Sequence, residues 1–173
     1  MISQSTNLDK LLNKLIKNSS FYYIEQKSIA SKEEVNGHTI YSRFKKIDSK
    51  INQTLLKQHL NKEINLAISV KNSNFIVFEY SGAEAFAFGA LLYKIASIEG
   101  ISDINIINYS DDKLIILLHP NIKDKKRLKE LANDISNKLE LRVPISWKVL
   151  PIDEKPDNGN LLILPREYIK SPW

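Results

Sequence analysis

Two uninterrupted apolar runs, Phe-Ile-Val-Phe at 75–78 and Leu-Ile-Ile-Leu-Leu at 114–118, constrain this chain more than any other feature. A strand that is apolar on both faces must be covered on both faces, so the two runs predict the inner strands of one sheet. The sequence between and around them fits that reading. Residues 75–80 read as a strand, 83–98 as a helix, 101–109 and 114–119 as strands joined by Ser110-Asp111-Asp112-Lys113, 122–139 as a helix, and 143–150 as a strand. The order is β-α-β-β-α-β, the ferredoxin-like or split-βαβ plan. In this reading the first and third strands lie side by side and parallel in a mixed sheet. Both outer strands carry polar residues: Asp103, Asn105 and Asn108 in the second, and Pro144, Ser146 and Lys148 alternating with Val143, Ile145, Trp147 and Val149 in the fourth. Pro144 has no N–H to contribute and belongs on an edge.

The helices complete an α+β fold class. The first is apolar almost throughout and contains Ala83, Ala85, Ala87, Gly89 and Ala90, which permit close packing. The second is amphipathic, with Leu128, Leu131, Ala132, Ile135 and Leu139 at steps of three and four. With both helices on one face, the N-terminal α/β segment is the material left to cover the second face. That segment reads as a helix at 6–17, a strand at 21–24, a turn at Asn36-Gly37, an alternating strand at 38–47, a helix at 53–61 and a strand at 64–70. No linker interrupts the chain. The expectation is a single domain over 1–173, with an elaboration at 1–72, the core at 73–151, and a strand and tail at 152–173.

Composition narrows the chemistry. The 173 residues include no cysteine, which excludes disulfides, thiolate metal sites and a cysteine nucleophile. The apolar runs fall far short of the roughly 18 residues of a membrane span, and the first six residues do not read as a signal peptide. A cytoplasmic protein is expected, away from membranes. The net charge of +5 is unevenly placed: residues 1–74 carry 12 basic against 6 acidic side chains, 75–122 carry 2 against 6, and 123–142 carry 7 against 4. Such asymmetry suits an anionic partner, nucleic acid or a nucleotide. The densest basic cluster is Lys123, Lys125, Lys126, Arg127 and Lys129, which opens the second helix of the core.

Other candidates follow from position. Glu79 and His119 close the first and third strands; if those strands are parallel, the two side chains share one end of the sheet and form a weak acid–base pair, with Asp153 as a third candidate. One carboxylate and one imidazole are too few to imply a metal, and no cofactor is expected. Ser81 and Gly82 precede a helix, where free N–H groups favour an anion. Neither GxGxxG nor GxxxxGK[ST] occurs. His38 and His59 read as surface residues. Trp173 is expected to pack back onto the domain, with a docking anchor for a partner as the alternative, and edge strands offer a route to a homodimer.

Two resemblances rest on these residues. The strand-turn at 75–82, the strand ending Leu117-Leu118-His119, and the stretch from Trp147 to Leu164-Pro165-Arg166-Glu167-Tyr168 resemble a small, functionally uncharacterised family of Helicobacter, Campylobacter and their relatives. This implies no activity. More distantly, the topology with Glu79 and His119 is similar to the palm domain of archaeo-eukaryotic primases. That resemblance implies a degenerate relative, because the palm's paired acidic ligands are missing: Phe78 and Tyr80 flank Glu79. A non-catalytic binding or accessory protein is the expected function. A protein-interaction module and a residual metal-dependent nucleotidyl or phosphoryl transferase are the alternatives.

Overall fold

The structure is a computed structural model that describes residues 2–143, 146–152 and 154–173. The chain divides into two compact units, Met1–Ser73 with Pro151–Arg166, and Asn74–Leu150 with Glu167–Trp173. In chain order the first unit begins with α1 (Ile2–Lys17), β1 (Tyr22–Glu25), β2 (Ser31–Val35), β3 (His38–Ser42), β4 (Phe44–Ile47), α2 (Gln53–Leu60) and β5 (Leu66–Ser69). The second unit follows with β6 (Ile76–Ser81), α3 (Ala85–Ile98), β7 (Ile104–Ser110), β8 (Lys113–Leu118), α4 (Lys125–Glu140) and β9 (Trp147–Leu150). The chain then returns to the first unit through a 3₁₀ turn at Asp157–Gly159 and β10 (Leu161–Ile163). The fold is α+β. No helix among the described residues is long and apolar enough to cross a membrane.

In the second unit the strand order is β7-β8-β6-β9, with the two apolar runs as the inner pair. Every neighbouring pair is antiparallel. This corrects the expectation of a mixed sheet with parallel inner strands. The reason is directional. The crossover through α3 brings the chain back to start β7 in the direction of β6. The tight turn at Asp111-Asp112 then reverses it, so β8 enters between them running against both.

One sheet face carries Ile76, Phe78 and Tyr80 beside Leu114, Ile116 and Leu118, and these pack against both helices. Phe88 and Leu92 of α3 and Leu128, Ile135 and Leu139 of α4 complete this core. The alternate residues Val77 and Leu117 are also fully buried, as the apolar runs require. Beside the core, β7 carries a bulge between Ile106 and Asn108. Pro144 and Ile145 lie outside the described residues.

The first unit has its own antiparallel sheet, ordered β10-β5-β1-β4. The stretch 38–47, expected as one strand, is two: β3 pairs with β2 across the Asn36-Gly37 turn, and β4 pairs with β1. Asn36 and Gly37 both adopt positive φ, 50° and 77°, the conformation that tight hairpin turns need. At the other edge, the fully buried Asn160 holds the approach to β10. Its amide donates to the carbonyls of Ile152, Lys155 and Pro156 at 3.0–3.1 Å, and its Oδ1 accepts the Ile152 N–H.

The tail returns to the second unit, where Ile169 bridges to Ile106 of β7. Trp173, expected to pack back onto the domain with docking to a partner as the alternative, seats on its own unit. Its ring lies 5.8 Å from Phe86 and 6.3 Å from both Tyr93 and Tyr109. Gly89 makes room for it: a Cβ there would stand 2.1 Å from the indole and 2.9 Å from Leu114. A tryptophan is driven onto an apolar surface by the area it removes from water, and the nearest such surface is α3 of the same chain.

Gly89→Ala is therefore expected to expel Trp173. The helix gains about 0.5–1 kcal/mol from alanine, but loses roughly 1.5–3 kcal/mol of aromatic burial. A red shift of tryptophan emission with a net loss of about 1–2 kcal/mol in urea unfolding is the expected result. An unshifted spectrum would contradict the seating.

Candidate functional site

The register of β6 and β8 decides the fate of the Glu79–His119 pair. Glu79 stands opposite Ile115, whereas Leu118 stands opposite Ile76, so His119 lies one step beyond that end. The two are therefore about four residues apart along the sheet, roughly 14 Å at about 3.4 Å per residue. The expected pairing fails because the strands run antiparallel, which sends their carboxyl ends to opposite sides of the sheet. Each has a local partner instead. Glu79 faces Lys148 across β6 and β9 in a 3.1 Å ion pair, a cross-strand contact of the kind worth about 0.2–1 kcal/mol. His119 places Nδ1 3.4 Å from Asp103 and its ring 5.1 Å from Phe75. Asp153 lies outside the described residues. Among the described residues, no three histidine, aspartate or glutamate side chains are placed to hold a metal ion.

Ser81 ends β6, and α3 begins only at Ala85. Ser81 and Gly82, expected to receive an anion, therefore precede that helix and are not in its first turn. The Gly82 N–H donates to the Asp112 carbonyl at 2.7 Å and the Glu84 N–H to the Tyr80 hydroxyl at 3.2 Å, which engages both donors. Gly82 sits at φ 153°, and a Cβ there would meet the Tyr80 hydroxyl at 2.5 Å. The glycine is needed for close approach to Tyr80.

The basic cluster is displayed in the open. Lys123, Lys125, Lys126, Arg127 and Lys129 are all exposed at the start of α4. Asp124 caps the helix by accepting from the N–H groups of Lys126 and Arg127 at 2.9 and 3.2 Å. Lys125 donates to Asn74 at 3.0 Å, and Lys126 stands 4.0 Å from Glu130. Cations at a helix N-terminus oppose its dipole by about 0.3–1 kcal/mol each. The Asp124 cap offsets part of that.

A cleft of about 780 Å³ in the first unit has no counterpart among the sequence candidates. Its walls are the end of β1 with residues 26–28, Arg43 before β4, the α2–β5 connection at 62–65, and Arg166. His59 supports it from beneath. Expected on the surface, His59 is fully buried. The Leu66 N–H donates to its Nδ1 at 3.2 Å, so the proton sits on Nε2, which donates to the Leu164 carbonyl at 3.0 Å. The ring thus ties α2 to β5 and to the segment after β10. Arg166 continues the tie, with Nε donating to the His59 carbonyl at 2.8 Å and Nη2 to the Ile64 carbonyl at 3.0 Å and to Asn65. Asn65 in turn donates to Glu25, whose other oxygen accepts from Arg43. The result is a hydrogen-bonded chain, Arg166–Asn65–Glu25–Arg43, across the cleft.

The rim turns on Lys62. It adopts φ 65°, with its N–H on the His59 carbonyl at 3.0 Å and the next N–H, of Glu63, on the Gln58 carbonyl at 2.9 Å. These two bonds form a Schellman close to α2, in a position that usually holds glycine. A lysine there costs about 1 kcal/mol, and strain of this kind tends to be kept where a side chain is used. Sequence periodicity held a signal for His59, since Leu55, Leu56 and His59 fall on one helical face. No local pattern in the sequence points to Arg166, because its partners lie a hundred residues away.

Lys62→Gly is expected to raise stability by roughly 0.5–1 kcal/mol in urea unfolding; a loss would contradict the left-handed close. A second expectation concerns pH. Burial, and after it the Arg166 guanidinium, pushes the His59 imidazole below its ordinary value. The folded ring stays neutral while the unfolded chain takes up a proton below about pH 6.5. Stability is therefore complete above that pH. It declines as pH falls toward the depressed folded value, by up to about 1.4 kcal/mol per pH unit. Urea midpoints compared at about pH 7.5 and about pH 5.5 should separate wild type from His59→Gln, which lacks this component. Parallel slopes would exclude His59 as its source.

Residues 6–78 match the model of a domain of unknown function, DUF1882. The matched stretch takes in most of α1, all of β1 to β5 and the start of β6, and so every wall of the cleft except Arg166. No curated protein matches the chain.

Proposed function

We propose that this chain is a non-catalytic, palm-like binding or accessory protein that holds nucleic acid by its phosphates against the start of α4. The observation that carries this reading is the exposure of all five basic side chains, Lys123, Lys125, Lys126, Arg127 and Lys129, around the single acidic cap Asp124. Five cations gathered where the helix dipole disfavours them call for a compensating anion. Phosphates at intervals along a strand supply it. Sequence-specific reading through stacked bases is not part of the proposal, since β8 carries no aromatic residue. The non-catalytic part is supported by the separation of Glu79 from His119 and by the engagement of each with a structural partner.

Fluorescence anisotropy with single-stranded DNA and RNA across a salt series tests it. Five phosphate contacts predict a log–log slope near −3.5, at about −0.7 per contact. Lys126→Ala/Arg127→Ala should reduce that slope by about 1.4 and weaken binding without regard to sequence. A flat salt response, or a slope untouched by the double substitution, would remove the reading.

A further inference from the structure

The cleft of the first unit is a site of a different kind from the α4 surface, and its chemistry is specific enough to name a ligand class. We propose that it binds a small phosphate monoester as the dianion. Four cationic side chains, Lys27, Arg43, Lys62 and Arg166, face it against two acidic ones, Glu25 and Glu63. The excess of two positive charges equals the charge that a phosphate monoester carries above its second ionisation, whose pKa is about 6.

The cations are also prepared for that task. Arg166 is held by three hydrogen bonds through Nε and Nη2, and among the described residues nothing accepts from its Nη1. Arg43 lines the cleft and pairs through Nη2 with Glu25. A guanidinium held in place before the ligand arrives, as Arg166 is, loses little freedom on binding it, and the planar forks of both arginines match the oxygens of a phosphate. Lys62 is set at the rim by its own left-handed backbone.

The remaining lining limits what the phosphate is attached to. Ile24 and Ile64 are the apolar residues there, and no aromatic ring lines the cleft. A nucleobase would find no stacking partner. A short polyol or sugar phosphate would meet Gln26, Ser28 and Asn65 instead. The inference does not depend on nucleic-acid binding at α4, whose residues are absent from this lining.

Isothermal titration calorimetry at low ionic strength, with inorganic phosphate, glycerol 3-phosphate and succinate as probes, tests it. Saturable binding of both phosphates is expected, with glycerol 3-phosphate the tighter and succinate the weakest. Arg43→Gln and Lys62→Gly should each weaken phosphate binding by about tenfold, the effect of losing one charge-assisted hydrogen bond. Should Arg43→Gln fail to fold, Lys62→Gly decides alone, because it relieves backbone strain. Absence of saturable phosphate binding, affinities unchanged in Lys62→Gly, or succinate binding tighter than phosphate would each overturn the assignment. Loss of phosphate binding in Lys126→Glu/Arg127→Glu would place the anion on α4 and overturn it as well.

Discussion

Six consecutive residue pairs between β6 and β8, from Ile76 opposite Leu118 to Ser81 opposite Lys113, determine most of what the second unit can be. They set which side chains meet α3 and α4, since strand residues alternate between faces. They also set the direction of β8, and with it the end of the sheet at which His119 emerges. A slip of β6 by one residue would turn Phe78 away from the helices and bring Glu79 toward them. Glu79 opposes that slip, because its ion pair with Lys148 is made in the observed register.

The first unit depends on polar contacts to a greater degree. Buried polar groups stabilise only when their partners are in place, and here those partners lie far along the chain. His59 reaches Leu164, Arg166 reaches back to His59 and Ile64, and Asn160 gathers three carbonyls of the loop that precedes it. This network positions the Arg166 guanidinium of the cleft and leaves it little freedom to rearrange. The hydrogen-bonded Arg166 at its wall distinguishes the cleft from the basic face of α4, whose five cationic side chains are all exposed.

The parts legible in the sequence were those governed by local periodicity. The inner position of the two apolar runs, the amphipathic α4 and the Asn36-Gly37 hairpin turn follow from patterns a few residues long. Strand direction was misread because apolar runs carry no arrow; only counting the reversals through α3 and the Asp111-Asp112 turn supplies one. The division of 38–47 into β3 and β4 was hidden because both halves alternate in the same way. His59 looked polar and hence exposed, although its spacing from Leu55 and Leu56 placed it inward. The cleft was not legible at all, since its residues come from four separate stretches of sequence.

The path of the chain has a consequence for its birth on the ribosome. Residues 1–73 assemble β1, β4 and β5, but the edge strand β10 and the Arg166 clasp are added only after the second unit has been made. The second unit in turn receives its indole wedge from Trp173. Each unit therefore waits on residues 161–173, so a polypeptide stalled before residue 161 would lack β10 and Arg166 in the first unit and the indole wedge in the second, and would present both deficits to the cell's quality control.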